Sequence, residues 1–397
     1  MHVEDNPLTT GGRLRQIRYA RGKSLRVIAG LAGMSKSHLS QLERGERALD
    51  SRSETVALAN ALGIAPSDLT ELPIPAPGDG HTDSAIEAVR RALMAVNHDH
   101  AEGQVVPVDA LRERVAALVG AVSIGDQELT GSGLPVLIRD LHTTTAAGRD
   151  VPELLDLTVL LHTQATIAWL RTAGASVDLR EHAVLLARRA AEERDTATAR
   201  GLTAAGAVRV MLSAGAFDLA RAELDAVTVP TNTPTSTQLA GDLALYRAEV
   251  AAADSRTADV DPALELADEL AQRTGEGNAY WLGFGPSNTG FCRASVALDL
   301  KDYESAVAAA ESVDPAQQPN RSRQAAYWVY YGRALARVRG RRGDAVEALR
   351  RAELLVPHRV QRDPFARDVM AELLARARRD ATGQELRGMA YRAGLPV

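Results

Sequence analysis

Four stretches, opening at residues 217 (FDLARAEL), 260 (VDPALELA), 303 (YESAVAAA) and 345 (AVEALRRA), share one pattern. Each places an apolar or aromatic residue three positions before an alanine: Phe217 and Ala220, Val260 and Ala263, Tyr303 and Ala306, Ala345 and Ala348. Residues three apart lie on one face of a helix, and a small residue beside a larger one lets neighbouring helices interlock. The openings are 43, 43 and 42 residues apart, so the interlock recurs at almost constant spacing. A chain built this way is expected to stack helical hairpins into an α-solenoid. Composition points the same way: aromatic residues make up only 4% of the chain, Ala, Leu and Arg are frequent, and no segment alternates like a strand. The fold class is all-α. Residues 84–200 are helical by the same criteria, without a register that the sequence sets.

The first seventy residues follow a different rhythm. Leu14 and Ile17 space one short helix; Ser24 is placed to cap a second, with Leu25, Ile28, Ala29 and Ala32 inward, broken by Gly33. Ser35 is placed to cap a third that runs to about Arg44 and closes at Gly45. Ser53 is placed to cap a fourth, with Val56, Ala59 and Leu62 inward before Gly63.

Charge separates this segment from the rest. Residues 8–62 hold ten Arg and Lys against four acids, a net +6 within a chain of net charge −5, which leaves −11 elsewhere. A compact basic unit on an acidic body meets a polyanion at one place and repels it at others. On the third helix Leu39 and Leu42 mark the buried side, and the opposite side carries Ser37, Ser40, Gln41 and Arg44, with Lys36 at the start. These are the groups that hydrogen-bond base edges and phosphates in a major groove. Gln41 suits bidentate reading of adenine, and Lys36 and Ser37 lie where base contact is easiest. Arg44, Arg26 and Ser24 are expected to contact phosphates. Ser35 and His38 complete the candidate interface, His38 as a packing or phosphate-side residue.

Residues 11–69 resemble the phage-repressor (Xre) class of helix-turn-helix domains, through Ala29 in the second helix, Gly33 at the turn, Ser35 opening the third, "LERG" after it and "ALG" at 61–63. The resemblance implies a structural pair between Arg18 and Glu43. Many members have Gln at the second helix's second position, as a phosphate contact; this chain has Leu25, and Arg26 is the candidate substitute. The repeats after the joint resemble tetratricopeptide repeats with lengthened arms.

The expected domains are 1–71, DNA-binding; 72–83, a Pro- and Gly-bearing linker; and 84–397, the repeat body. Eleven of fifteen aromatic residues follow position 276. A ligand-binding surface is therefore expected among Asn278, Trp281, Asn288, Arg293, Gln324, Tyr327 and Tyr331, against the alternative that aromatics at helical spacing are core. Within "WLGFGPSNTGF" (281–291), the Phe-Gly-Pro-x-Asn segment is similar to one in actinobacterial regulators that join an Xre-type domain to a repeat body, themselves similar to the peptide-responsive RRNPP regulators. That resemblance implies Asn288 as a peptide-backbone clamp. The alternative is a helix start at Pro286 with Ser287 or Asn288 satisfying backbone amides.

"GKS" at 22–24 lacks the upstream glycine of a phosphate loop, since Ile17 stands there, and "GFGPSNTG" has Asn288 where a dinucleotide fingerprint needs its third glycine. His98, Asp99, His100 and Glu102 lie in a loop expected to be solvated. Cys292, the one cysteine, has no partner for a disulfide and is expected to be a buried thiol. No metal, cofactor, catalytic constellation, export leader or membrane span is expected, and the compartment is expected to be a reducing cytoplasm. The expectation is a transcriptional regulator, a homodimer on double-stranded DNA with an inverted-repeat operator, whose body senses a peptide or small molecule. The alternative is a DNA-tethered protein-interaction scaffold.

Overall fold

The computed structural model describes residues 9–70, 80–377 and 380–397. Among these every regular element is helical. Five short helices open the chain: α1 (Thr10–Ala20), α2 (Leu25–Leu31), α3 (Lys36–Glu43), α4 (Arg52–Leu62) and α5 (Pro66–Thr70). Their shared core is Leu14, Ile28, Ala29, Leu39, Leu42, Leu49, Leu58, Ala59, Leu62 and Leu69. Gly33, Gly45 and Gly63 all take positive φ at helix ends, the bends the sequence assigns to them. The fourth helix differs by one detail: its N-cap is Ser51, and Ser53 lies inside the first turn, its hydroxyl 2.8 Å from that of Ser51. Most of the expected linker lies outside the described residues; 80–83 belong to the next helix, not to a spacer.

The body begins with α6 (Gly80–Asn97), α7 (Val108–Ile124) and α8 (Gln127–Ala146). Then α9 (Val151–Leu160) runs through a π-helical turn, 161–166, into α10 (Ile167–Thr172), and α11 (Val177–Arg194) folds back on it. Four hairpins follow, pairing α12 (Ala197–Ala214) with α13 (Phe217–Asp225), α14 (Pro234–Ala253) with α15 (Val260–Thr274), α16 (Pro286–Asp299) with α17 (Tyr303–Glu311), and α18 (Arg321–Arg337) with α19 (Arg342–Leu355). The repeated motif marks the second helix of each pair, and Phe217, Ala220, Val260, Ala263, Ala306, Ala345 and Ala348 are buried. Three helices complete the chain: α20 (Pro357–Gln361), α21 (Pro364–Leu374) and α22 (Ala381–Arg392).

The first helices of successive hairpins form an inner layer, α12 on α14, α14 on α16 and α16 on α18, and α18 also meets α7. The stack thereby curls until its ends approach. Close approach inside the layer depends on small residues: a Cβ on Gly241 of α14 would lie 2.0 Å from the ring of Phe284. Phe284 is itself fully buried.

The five-helix unit is docked on this body through buried polar contacts. Asp50 accepts from Arg333 Nε at 2.7 Å and lies 3.7 Å from Arg337 Nε, all three side chains being under 10% exposed. Glu372 takes both Arg337 and the amide of Ala48 (2.9 Å). Arg52 pairs with Asp299, and Glu54 accepts from Lys301 Nζ at 2.6 Å.

At the same joint Asp368 is buried against Thr10 and the amide of Leu49, and burial, outweighing those hydrogen bonds, pushes its carboxyl up to about 7. Its ordinary value is about 3.9. The folded chain therefore holds a proton that the unfolded chain releases between roughly pH 4 and 7, so stability falls as pH rises through that window. Asp368→Asn is expected to melt closest to wild type near pH 4 and progressively above it up to pH 8; a constant offset between the two proteins across this range would contradict the assignment.

Candidate nucleic-acid interface and interior cavity

The α2–α3 bend is set by two serine caps. Ser24 Oγ accepts from Val27 N at 3.3 Å, and Ser35 Oγ accepts from His38 N at 3.1 Å, fixing both helix starts while leaving each hydroxyl hydrogen free to donate. Leu39 and Leu42 point into the core, so the other side of α3 faces out. Lys36 and Ser37 are exposed in its first turn, Arg26 is exposed on α2, and none of the three side chains has a hydrogen-bond or ion-pair partner among the described residues. Gln41 is half-buried at the edge of the same stripe.

Other members of the expected stripe are engaged within the protein. Arg44 donates to Ser40 Oγ and forks onto Glu46 at 2.8 and 2.7 Å, tying the end of α3 to the following loop. His38 Nε2 lies 2.9 Å from Glu54 Oε1, the carboxylate that also holds Lys301, so His38 faces α4 and the body rather than the open side. Arg18 and Glu43 form a buried two-point pair, Nε to Oε1 at 2.5 Å and Nη2 to Oε2 at 2.8 Å, and Arg18 Nη1 donates to the Lys23 carbonyl at 3.0 Å. The hydrogen bond that Arg18 donates to Glu43, larger than the opposing effect of burial, raises the Arg18 guanidinium above its ordinary value. Here α1 crosses very close to the end of α3, since a Cβ on Gly11 would lie 2.1 Å from the Leu42 carbonyl oxygen.

Gln41 also borders a cleft of about 960 Å³ that the body completes. Arg47 lines it from the small unit, and Arg339, Arg342 and Arg376 from the body. The open face of α3 thus continues onto basic residues of the repeat stack.

Inside the curl lies a cavity of about 160 Å³, walled by α7, α10, α12, α14, α16, α18 and α20. Two of the expected ligand residues line it, Trp281 and Asn288. Asn288 Oδ1 accepts from Arg323 Nη1 at 3.0 Å, while its Nδ2 is buried without a partner. Arg323 also donates to Asp242 Oδ1 at 3.2 Å. The other five expected ligand residues do not line the cavity. Asn278 accepts from the amide of Gly283 (3.1 Å), Arg293 pairs with Asp268, and Gln324 donates to the Gln318 carbonyl (2.7 Å). Tyr327 donates to the Ala310 carbonyl at 3.1 Å within an aromatic cluster with Phe291, Trp328 and Tyr331, and Tyr331 donates to Glu311 at 2.7 Å. These aromatics are packing, because rings four residues apart on α18 stack on one another and on α16 rather than open a surface.

Residues 10–72 match the family model of a helix-turn-helix domain. No curated protein matches the chain. Among solved structures, Bacillus thuringiensis PlcR in complex with the peptide PapR7 and DNA is similar over 77% of this chain and 95% of that one, at 12% identity and a TM-score of 0.28. The matched residues take in α1 to α5, the capped, glycine-bent start of the chain.

Beyond that domain, the basic lining of the cavity was not among the residues expected from the sequence. Arg171, Arg209 and Arg359 reach it from α10, α12 and α20. Arg209 is aimed by the π-helical turn, whose Thr163 carbonyl accepts from Nη2 at 2.8 Å. A signal was available in "AGAVRVML" and "LAGDLALY", where Arg209 and Asp242 interrupt apolar helical runs. Cys292 is buried on the same wall, its thiol pushed well above its usual value by burial. Among the described residues no group of three His, Cys, Asp or Glu is arranged to hold a metal, and no helix is long and apolar enough to cross a membrane.

Proposed function

We propose that this chain is a sequence-specific DNA-binding regulator whose helical body dimerises and receives an effector. The observation that carries the reading is the first turn of α3, where Lys36 and Ser37 stand exposed and without partners on a domain that matches the helix-turn-helix family. Gln41, Lys36 and Ser37 are assigned to base edges, Arg26 and the cap serines to phosphates, with Arg339 and Arg342 extending the positive surface. Ser40, Arg44 and His38, being held internally, set the position of α3. A single short helix reads few base pairs, so useful affinity requires two copies about one DNA turn apart; this favours a homodimer and an inverted-repeat operator.

A sequence selected from random DNA by the full-length protein provides the test. Gln41→Ala is expected to cost about 1–3 kcal/mol on the selected sequence and far less on random DNA. Arg26→Ala is expected to weaken both alike and to lower the slope of log affinity against log salt by about one. Equal losses for Gln41→Ala on both DNAs would remove it as a base reader, and failure to select any sequence would remove the function.

A further inference from the structure

The cavity inside the curl shares a wall with a second chamber of about 170 Å³, which lies between the body and the helix-turn-helix domain. Arg52, Arg171, Tyr330 and Arg359 line both. Buried charge around them is unbalanced. Asp242 is matched by Arg323 and Asp299 by Arg52, while Glu249 lines the inner chamber and Asp363 the outer one; neither the Arg171 nor the Arg359 side chain has a hydrogen bond or ion pair among the described residues. Arg359 is only 7% exposed, and Arg171 Nε is buried and unpartnered. Two buried guanidiniums side by side repel, and neither forms an ion pair with a carboxylate; that repulsion from Arg359, with burial, lowers Arg171 to about 9.

Two of the neighbouring orphan groups are donors. Asn288 Nδ2 and Gln164 Nε2, on residues 4% and 6% exposed, are donors without acceptors, and both residues line the cavity. Asp242 Oδ2, buried on this wall without a donor, is placed to take a hydroxyl hydrogen. Native interiors rarely leave so many polar groups unsatisfied at one place. A carboxylate or phosphate between the two arginines would satisfy the donors and cancel the repulsion together. Size narrows the class further: the two chambers together only just reach the roughly 300 Å³ at which pockets for drug-sized ligands begin, which suits a small molecule rather than an extended peptide.

We propose that this double chamber is a binding site for a small organic anion, a carboxylate or a phosphate ester, held by Arg171 and Arg359 with Asn288 and Gln164 as further donors. The site touches the DNA-binding domain directly. Arg52 opens α4, its backbone amide and side chain are both held by Asp299, and it lines both chambers. The proposal rests on the regulator reading for its consequence, an effect of the anion on DNA affinity, while binding itself stands apart from it.

The experiment is thermal melting and calorimetry of the full-length protein with succinate, glycerol 3-phosphate or inorganic phosphate, each against sodium chloride at equal ionic strength. At least one of these anions is expected to raise the melting temperature by several degrees at millimolar concentration, and the order among them separates the carboxylate source from the phosphate source. Arg359→Gln and Arg171→Gln are each expected to abolish that rise. Without anion, each is expected to melt no lower than wild type, because a like-charge neighbour is gone. The proposal is overturned if no anion exceeds chloride, if the rise persists in both variants, or if a C-terminally amidated, uncharged peptide stabilises where the anions do not. DNA retention measured without added anion tests the regulator reading separately, and its failure leaves the binding result standing.

Discussion

Asp50→Ala is expected to release the helix-turn-helix domain from the body without unfolding either. Asp50 is 3% exposed and is the only carboxylate hydrogen-bonded to Arg333 among the described residues, while Arg337 keeps Glu372. Removing one partner of a buried pair typically costs about 3–5 kcal/mol, because the remaining charge stays desolvated without compensation. Phe365, whose ring lies 4.6 Å from the Arg333 guanidinium, offsets part of this, so the lower half of that range is expected. The domain's own core, from Leu14 to Leu69, does not include Asp50. Calorimetry is therefore expected to show two separated transitions in the variant where wild type shows one, with DNA affinity retained. Asp50→Asn, which keeps the hydrogen bond and loses the charge, is expected to fall between them. A single transition at the wild-type temperature in Asp50→Ala would show that the joint does not depend on this pair.

The contrast between that joint and the domain it anchors explains what was legible in the sequence. Helices α2 and α3 are specified locally, by a serine cap, an apolar spacing and a closing glycine within a dozen residues of one another, and α4 by its spacing and Gly63. The second helices of the four hairpins were legible for a similar reason, since Ala220, Ala263, Ala306 and Ala348 must each face a neighbour. Upstream the register was hidden because Pro135 lies inside α8 and a π-helical turn interrupts the helix between α9 and α10. The cavity was hidden for another reason. Arg171, Arg209, Asn288 and Arg359 converge through the curvature of the whole stack, which accumulates over successive hairpins and leaves no mark at any one of them. Aromatic density drew attention to Tyr327 and Tyr331 instead, and their rings proved to fill space between helices. Asp50 gave no sign of its role, because its partner is 283 residues away.

Glu43→Ala is expected to abolish DNA binding altogether, on selected and random sequences alike. The same physics applies as at Asp50, with a different functional result, because this pair lies inside the domain rather than at its edge. Arg18 and Glu43 are 5% and 4% exposed, and the second oxygen of Glu43 also accepts from Arg18, at 2.8 Å. With Glu43 gone, Arg18 keeps only the Lys23 carbonyl and the face of Tyr19, an exposed ring 4.4 Å away. The expected cost of about 3–5 kcal/mol is comparable with the whole stability of a domain this small. It also falls where α1 crosses the end of α3, so the element that carries Lys36, Ser37 and Gln41 loses its support. Replacing both partners by apolar residues, Arg18→Met with Glu43→Leu, removes the buried charge as well as the bond, and is expected to recover most of the stability and the DNA affinity. Circular dichroism would show the loss in Glu43→Ala as a low-temperature transition of the domain alone, the body melting as before. Should Glu43→Ala instead bind selected DNA as tightly as wild type, or lose affinity for it while holding random DNA as before, the pair would not be what keeps α3 in place.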